Sequence, residues 1–182
     1  GLGNAVLFSI GQAFRQNNSQ ILYFAGYRKL EDRYKIEEIE NAADKIIWSC
    51  DEAILKTTRK QDLSFHGNIV ESILWFTKAN PESLKKIDRV IVIGSDKMMH
   101  AVKKHCLSYF KPGIKAIASI NSPMQCMMKE ICGQCLQKHV DINTGIETYV
   151  FSCANQDQDI RRVDFLHLEA RLSQNSLLEK TL

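Results

Sequence analysis

Apolar positions in this chain recur in two rhythms that trade places along its length. From Ala5, the residues Ala5, Leu7, Phe8, Ile10, Ala13 and Phe14 follow helical spacing until Asn17-Asn18-Ser19 breaks the pattern. Ile21-Leu22-Tyr23-Phe24-Ala25-Gly26 is a short continuous apolar run, as in a strand covered on both faces. A polar span from Arg28 to Asp44 carries Ile36, Ile39, Ala42 and Ala43 at helical spacing, and Lys45 to Cys50 reads as a second strand. Asp51 to Ser64 reads as a polar loop, and Asn68 to Lys78 as a helix with Ile69, Val70, Ile73, Leu74 and Phe76 on its apolar side. Pro81 and Lys85-Lys86 mark a connection, and Arg89 to Gly94 forms the cleanest strand pattern. A helix capped by Ser95 or Asp96 then runs to about Phe110, stops at Lys111-Pro112-Gly113, and leads to a strand from Ile114 to Ser119.

Strands alternating with helices predict an α/β fold: an open parallel sheet flanked by helices. The four strands near 21–26, 45–50, 88–94 and 114–119 are expected in one sheet with right-handed crossovers. Near Asn121 the alternation gives way to a cysteine-rich region, in which Asp141-Ile142-Asn143-Thr144-Gly145 looks like a turn joining strands Leu136 to Val140 and Glu147 to Phe151. The expected divisions are an α/β domain over 1–120, a small metal-binding subdomain over 121–156, and a helical tail over 157–182 with Val163, Leu166, Leu168 and Leu172 in step.

Composition narrows the function classes. The chain of 182 residues is 45% hydrophobic and 25% charged with a net charge of +3, enough apolar content for a full core. Its Lys and Arg are scattered rather than blocked, which argues against a nucleic-acid or membrane surface. No apolar run approaches the ~18 residues of a membrane span. No basic segment precedes a hydrophobic stretch at the start, so no signal peptide is expected; the chain reads as cytoplasmic, in a reducing compartment.

The cysteines change the picture most. Four of the six, Cys126, Cys132, Cys135 and Cys153, have the spacing C-x5-C-x2-C-x17-C. A C-x2-C pair lets two thiolates reach one metal centre from a tight turn, and Gly133 relieves crowding within it. Four thiolates suit tetrahedral zinc or a [2Fe–2S] cluster; the plant-type ferredoxin pattern, C-x4-C-x2-C with a distant fourth Cys, is one residue shorter in its first gap. Buried, inert thiols are the plainer alternative. The expectation is convergence of the four sulfurs on one centre, with Cys50 and Cys106 outside it.

Several strand ends carry candidate ligand contacts. Gly1-Leu2-Gly3 ahead of a helix suits a phosphate held by backbone N–H groups, although glycine also serves as turn punctuation. Ser95-Asp96 and Ser49-Cys50-Asp51 lie where open α/β sheets bind ligands, with simple capping as the alternative for the first. Arg28, just after a strand, suits a ribose phosphate or is a solvated loop charge. A glycine turn that opens a helix normally follows a strand; the chain therefore reads as a fragment whose sheet has a gap to be filled by another segment or chain.

Taken together, Gly1-Leu2-Gly3-Asn4-Ala5, Tyr23-Phe24-Ala25-Gly26-Tyr27-Arg28, Ser49-Cys50-Asp51, Gly67 before a helix, Ile87 to Met99 and the four-cysteine set resemble the NAD(P)-binding domain of ferredoxin–NADP reductase-type flavoproteins. The order and spacing are similar to those of the electron-transfer subunit of class B dihydroorotate dehydrogenases, over about residues 1 to 155. The resemblance implies a nicotinamide nucleotide bounded by Gly1, Gly3, Asn4, Arg28, Cys50, Asp51, Ser95, Asp96 and Met98. It also implies a [2Fe–2S] cluster on Cys126, Cys132, Cys135 and Cys153, with zinc as the alternative, and FAD on a domain of the parent that this chain lacks. The partners implied are that flavin domain and a catalytic domain or subunit; the chain alone would then be inactive. It departs from the family at Asn4-Ala5-Val6, where a Pro is usual one turn in, at Ser49-Cys50, and in the longer first cysteine gap. The tail resembles the end of larger fused proteins that join a glutamate-synthase-small-subunit-like oxidoreductase to this module.

Overall fold

The computed structural model describes residues 3–120, 122 and 125–175. The chain divides into two compact units, Gly1–Lys85 and Lys86–Leu182. That boundary falls between a short helix and the Arg89 strand, whereas the sequence pattern placed it near residue 120.

In the first unit, α1 (Gly3–Gln16) precedes β1 (Leu22–Tyr27), α2 (Ile36–Ala42), β2 (Lys45–Cys50), β3 (Leu63–His66), α3 (Ile69–Ala79) and α4 (Pro81–Lys85). The three strands are parallel in the order β1-β2-β3, with Leu22 opposite Lys45 and Ile47 opposite Leu63. The two-residue period of a strand explains the unbroken apolar run of β1. One set, Tyr23, Ala25 and Tyr27, joins Ile46, Trp48, Cys50, Ile39, Ala43 and Leu55 in a core covered by Leu7 and Phe8 of α1 and Ile36 of α2. The other set meets α3: Phe24 lies edge-on to Phe76 at 5.7 Å, and a Cβ on Gly26 would come within 2.9 Å of Ile69 Cβ. Gly26 is thus required by a close approach. Gly26→Ala is expected to cost about 1–3 kcal/mol through overpacking, read as a shift of the urea midpoint.

β3 corrects the sequence reading, which ran the polar loop through Ser64. Only Leu63 and Phe65 alternate there, too short a signal to distinguish a half-buried strand from a loop. Its entry is set by Asp62, whose carboxylate accepts from Ile46 N (2.9 Å) and from Arg59 Nε and Nη2 (2.9 and 2.8 Å). Arg59 Nη1 also donates to the carbonyls of Glu40 and Ala43, closing the end of α2. The start of α3 agrees with expectation. Asn68 Oδ1 accepts from Glu71 N at 3.0 Å, and Asn68 N donates to Glu71 Oε2 at 3.1 Å, a reciprocal cap. Asn68→Ala should cost about 1 kcal/mol, measurable by the same denaturation.

The second unit holds β4 (Arg89–Ile93), α5 (Asp96–His105), β5 (Lys115–Ser119), β6 (Leu136–Val140), β7 (Glu147–Phe151), β8 (Asp157–Asp159) and α6 (Phe165–Asn175). β4 and β5 are parallel neighbours, with Ile91 opposite Ile117, and β8 adds antiparallel to β5. β6 and β7 form the expected hairpin, Leu136 opposite Phe151. Its turn is fastened by Asp141 Oδ1, which accepts from the backbone N–H groups of Asn143 and Thr144 and from the Thr144 hydroxyl. Helical spacing in the tail is realised as α6.

The expectation of one sheet is corrected: among the described residues β1 and β2 belong to one sheet, β4 and β5 to another. Periodicity marks a segment as a strand, but pairing depends on which edge finds a partner. Among the described residues, β1 and β4 each end a sheet, with one edge unpaired.

Candidate metal centre

The β6–β7 hairpin brings the last two cysteines together. Cys135 immediately precedes β6 and Cys153 lies two residues beyond the end of β7, so the pairing of Leu136 with Phe151 brings them close together. Ser152 N donates to Cys135 O at 3.0 Å, and the two sulfurs are 3.0 Å apart. Cys135 is 1% exposed. It is reached through a turn in which Leu136 N donates to Gly133 O. Gly133 has φ 69°, and nothing lies within 4 Å of a Cβ placed there, so its glycine meets a backbone need rather than a steric one.

The loop from Cys126 to Cys132 makes the second pair. Met127, Met128 and Glu130 all adopt left-handed backbone conformations, φ 54°, 63° and 58°. Such curling turns successive N–H groups inward, the arrangement that forms anion-binding concavities. The amides of Cys132 and Ile131, then the Cys132 thiol and the Lys129 amide, hydrogen-bond to the Cys126 sulfur and hold its thiol down to about 6. The same contacts favour the thiolate of Cys126, the form that ligates metals. The Cys153 thiol is held up from its ordinary value, first by its hydrogen bond with Cys135, then by burial and by the like charges of Cys135 and Cys126. All six cysteines are free thiols.

The sulfurs lie as two pairs, Cys126 with Cys132 and Cys135 with Cys153. Among the described residues, no three or more His, Cys, Asp or Glu side chains gather as a single metal ion would require. The expected convergence of the four sulfurs on one centre is therefore not seen among the described residues. Four thiols are the donor set that a tetrahedral zinc or a [2Fe–2S] cluster takes. Cys50 and Cys106 lie apart, as expected: Cys50 within β2 and Cys106 at the end of α5, where burial pushes its thiol up to about 11.

One contributor was not legible beforehand. Arg171 of α6 donates through Nη2 to Gly133 O at 2.6 Å and to Gln134 O at 3.4 Å, bracing the C-x2-C turn from the tail. The apolar rhythm foretold the helix, but no residue pattern links position 171 to position 133. Next to this turn the loop exposes Met127 and Ile131 to solvent, 81% and 77%.

The residues expected at a nucleotide site fall in both units. Gly1 lies outside the described residues. Gly3 opens α1, while Asn4 is buried, its Oδ1 accepting from Tyr23 OH at 3.2 Å. Arg28 and Asp51 are exposed just beyond the C-terminal ends of β1 and β2. Cys50 is fully buried, with Sγ directed at Arg28 O (3.6 Å). The side chains of Asn4 and Cys50 are thus occupied internally, leaving Gly3, Arg28 and Asp51 on the accessible edge. In the second unit Ser95 caps α5, its Oγ accepting from Met98 N at 3.2 Å. Asp96 is the first residue of α5, and the Met98 methyl lies over Gly94, where a Cβ would approach it to 2.2 Å.

No family model matches the chain. It is similar to an uncharacterized protein of Rickettsia prowazekii (strain Madrid E), 41% identical over 97 residues. That match spans 53% of this chain and 13% of the relative, so the chain corresponds to a small part of that protein. Among the described residues, no helix is long and apolar enough to cross a membrane.

Proposed function

We propose that this chain is one module of a flavin and iron–sulfur oxidoreductase, with Cys126, Cys132, Cys135 and Cys153 as ligands of a [2Fe–2S] cluster. The observation that carries this reading is the pairing of the four cysteines, with backbone amides turned onto the Cys126 sulfur. Such a cluster supplies single-electron transfer when bound. The chain's own residues do the rest. Each thiol pair would hold one iron. The amides of Lys129, Ile131 and Cys132 offset thiolate charge, a lever that tunes such centres. Arg171 fixes the Gly133 carbonyl and with it the C-x2-C turn.

In the same proposal the exposed strand ends of the first unit hold part of a nicotinamide nucleotide. Backbone N–H groups at the start of α1 suit a phosphate, and Arg28 suits a ribose phosphate. FAD would be bound by a domain of the parent outside this chain, so the chain alone should not reduce an acceptor from NAD(P)H.

Anaerobic reconstitution with iron and sulfide tests the centre. The expected result is a brown protein with roughly two iron and two sulfide per chain and a reducible [2Fe–2S] signal by electron paramagnetic resonance. A colourless protein retaining one zinc per chain would instead indicate a zinc-stabilised interaction module. Titration of the full-length parent with NADP and NAD before and after Arg28→Ala tests the nucleotide site. The expected outcome is weaker NADP binding in the variant; equal affinity would dismiss the role of Arg28.

A further inference from the structure

One face of β6 is buried and polar. Cys135 at its foot, Gln137 and His139 are buried, while Leu136, Lys138 and Val140 between them are half-buried. This is the two-residue period of a strand, carried back one step to the cysteine. The buried row therefore reads thiol, carboxamide, imidazole. Two of the three are answered from within the same unit. Cys135 Sγ donates to Cys153 Sγ at 3.0 Å. His139 Nε2 donates to Gln158 Oε1 at 2.5 Å, and Gln158 Nε2 donates on to Asn155 O at 3.1 Å.

Gln137 is not answered. It is 1% exposed, and neither its Nε2 nor its Oε1 has a hydrogen-bond partner among the described residues. Buried carboxamides are almost always hydrogen-bonded, because burying one unpaired is costly. Across the hairpin Gln137 stands opposite Val150, whose side chain offers it nothing. Its neighbour along the buried face is Cys135, two residues and about 7 Å back along the strand. A glutamine side chain is long enough to carry its amide toward that sulfur. The thiol proton of Cys135 is directed to Cys153, so toward Gln137 the sulfur acts as an acceptor. A ligated thiolate and a bridging sulfide are acceptors only, and a carboxamide N–H is a donor at every pH.

Resting on the four-cysteine [2Fe–2S] reading, we propose that Gln137 donates a hydrogen bond from Nε2 to the Cys135 sulfur or the sulfide beside it, and so raises the reduction potential of the cluster. Reduction adds negative charge to the sulfurs, and an N–H···S bond strengthens as it does, so the donor favours the reduced form. Gln137 is then the side-chain counterpart of the backbone amides that meet the Cys126 sulfur.

The full-length protein, reconstituted anaerobically with iron and sulfide, tests this by redox titration of the cluster's paramagnetic signal. Gln137→Leu and Gln137→Met keep much of the volume and remove the donor. Each should lower the reduction equilibrium constant roughly tenfold, ~59 mV for a one-electron couple, with iron and sulfide content unchanged. With glutamine side-chain nitrogens isotopically labelled, pulsed electron paramagnetic resonance of the reduced cluster should show coupling to a labelled nitrogen. That coupling should vanish in both Gln137 variants and persist when Gln125 and Gln134, the glutamines beside the other cysteines, are both changed to Leu. An equilibrium constant within about twofold of the unmodified protein's, or a coupling that survives loss of Gln137, would overturn the role of Gln137 and leave the cluster reading standing. A colourless protein with zinc, or none with a [2Fe–2S] signal, would overturn both. Should neither Gln137 variant fold, the nitrogen coupling decides: its persistence without Gln125 and Gln134 supports the proposal, and its absence from the unmodified protein or its loss with those two overturns it.

Discussion

Cys135→Ser is expected to abolish metal binding while leaving the β1-β2-β3 sheet folded. Cys135 is the most enclosed of the four candidate ligands, held at the foot of β6 by Ser152 N and 3.0 Å from Cys153. A hydroxyl there is a poor ligand for iron or zinc, and its loss leaves Cys153 without its neighbour. No ligand redundancy is at hand, since Cys50 and Cys106 lie apart in β2 and at the end of α5. The core around Trp48 is assembled from residues between Leu7 and Leu55, so the substitution does not touch it. Elemental analysis after reconstitution, with far-ultraviolet circular dichroism as the check on folding, reads both halves of this expectation. Full retention of iron or zinc would show that the four-cysteine assignment is wrong, and Cys106→Ser should retain metal as the control.

The largest expected loss of stability is at Trp48. The side chain is completely buried, stacked on Tyr27 at 6.2 Å between ring centroids, with the Arg33 guanidinium 4.1 Å above its ring. Arg33 is itself fixed by donation from Nη1 to Lys56 O at 2.7 Å. Trp48→Ala removes a large apolar volume from the centre of the core and leaves Tyr27 and Arg33 facing a cavity. The cost should be about 3–5 kcal/mol. Trp48→Phe, which keeps an aromatic face for both neighbours, should cost less. Urea denaturation of the three proteins measures this, and a Trp48→Ala loss under about 1 kcal/mol would mean that this packing does not hold the unit together. The same burial accounts for Tyr27, whose phenol is pushed up to about 12 despite the nearby Arg33 charge.

Local rules carried much of the architecture. α3 begins where Asn68 and Glu71 stand three residues apart, because a reciprocal cap needs only neighbouring backbone. The hairpin turn is written in Asp141 to Gly145, since Asp141 closes it on its own next residues. Strand existence at β1, β2, β4 and β5 followed from short apolar runs bounded by turn residues. The four cysteines stood out as a candidate set because ligand chemistry restricts which residue types recur at short spacing. β3 escaped because four residues with two apolar members give too little periodicity to separate a strand from a loop.

What the sequence determined by itself was therefore local: which segments are helix or strand, where they start, and which thiols form the candidate set. Those choices depend on interactions within a few residues, so the order of side chains encodes them. Only the tertiary structure decided how distant segments meet. It paired Cys126 with Cys132 and Cys135 with Cys153, through the Leu136–Phe151 register and the left-handed loop at Met127, Met128 and Glu130. It turned Asn4 and Cys50 inward, away from a ligand edge. It brought Arg171 onto Gly133 across 38 positions, and it left β1 and β4 as the ends of separate sheets among the described residues. Pairing of this kind depends on which edges and faces remain free once the elements have formed, and that is a property of their arrangement in space.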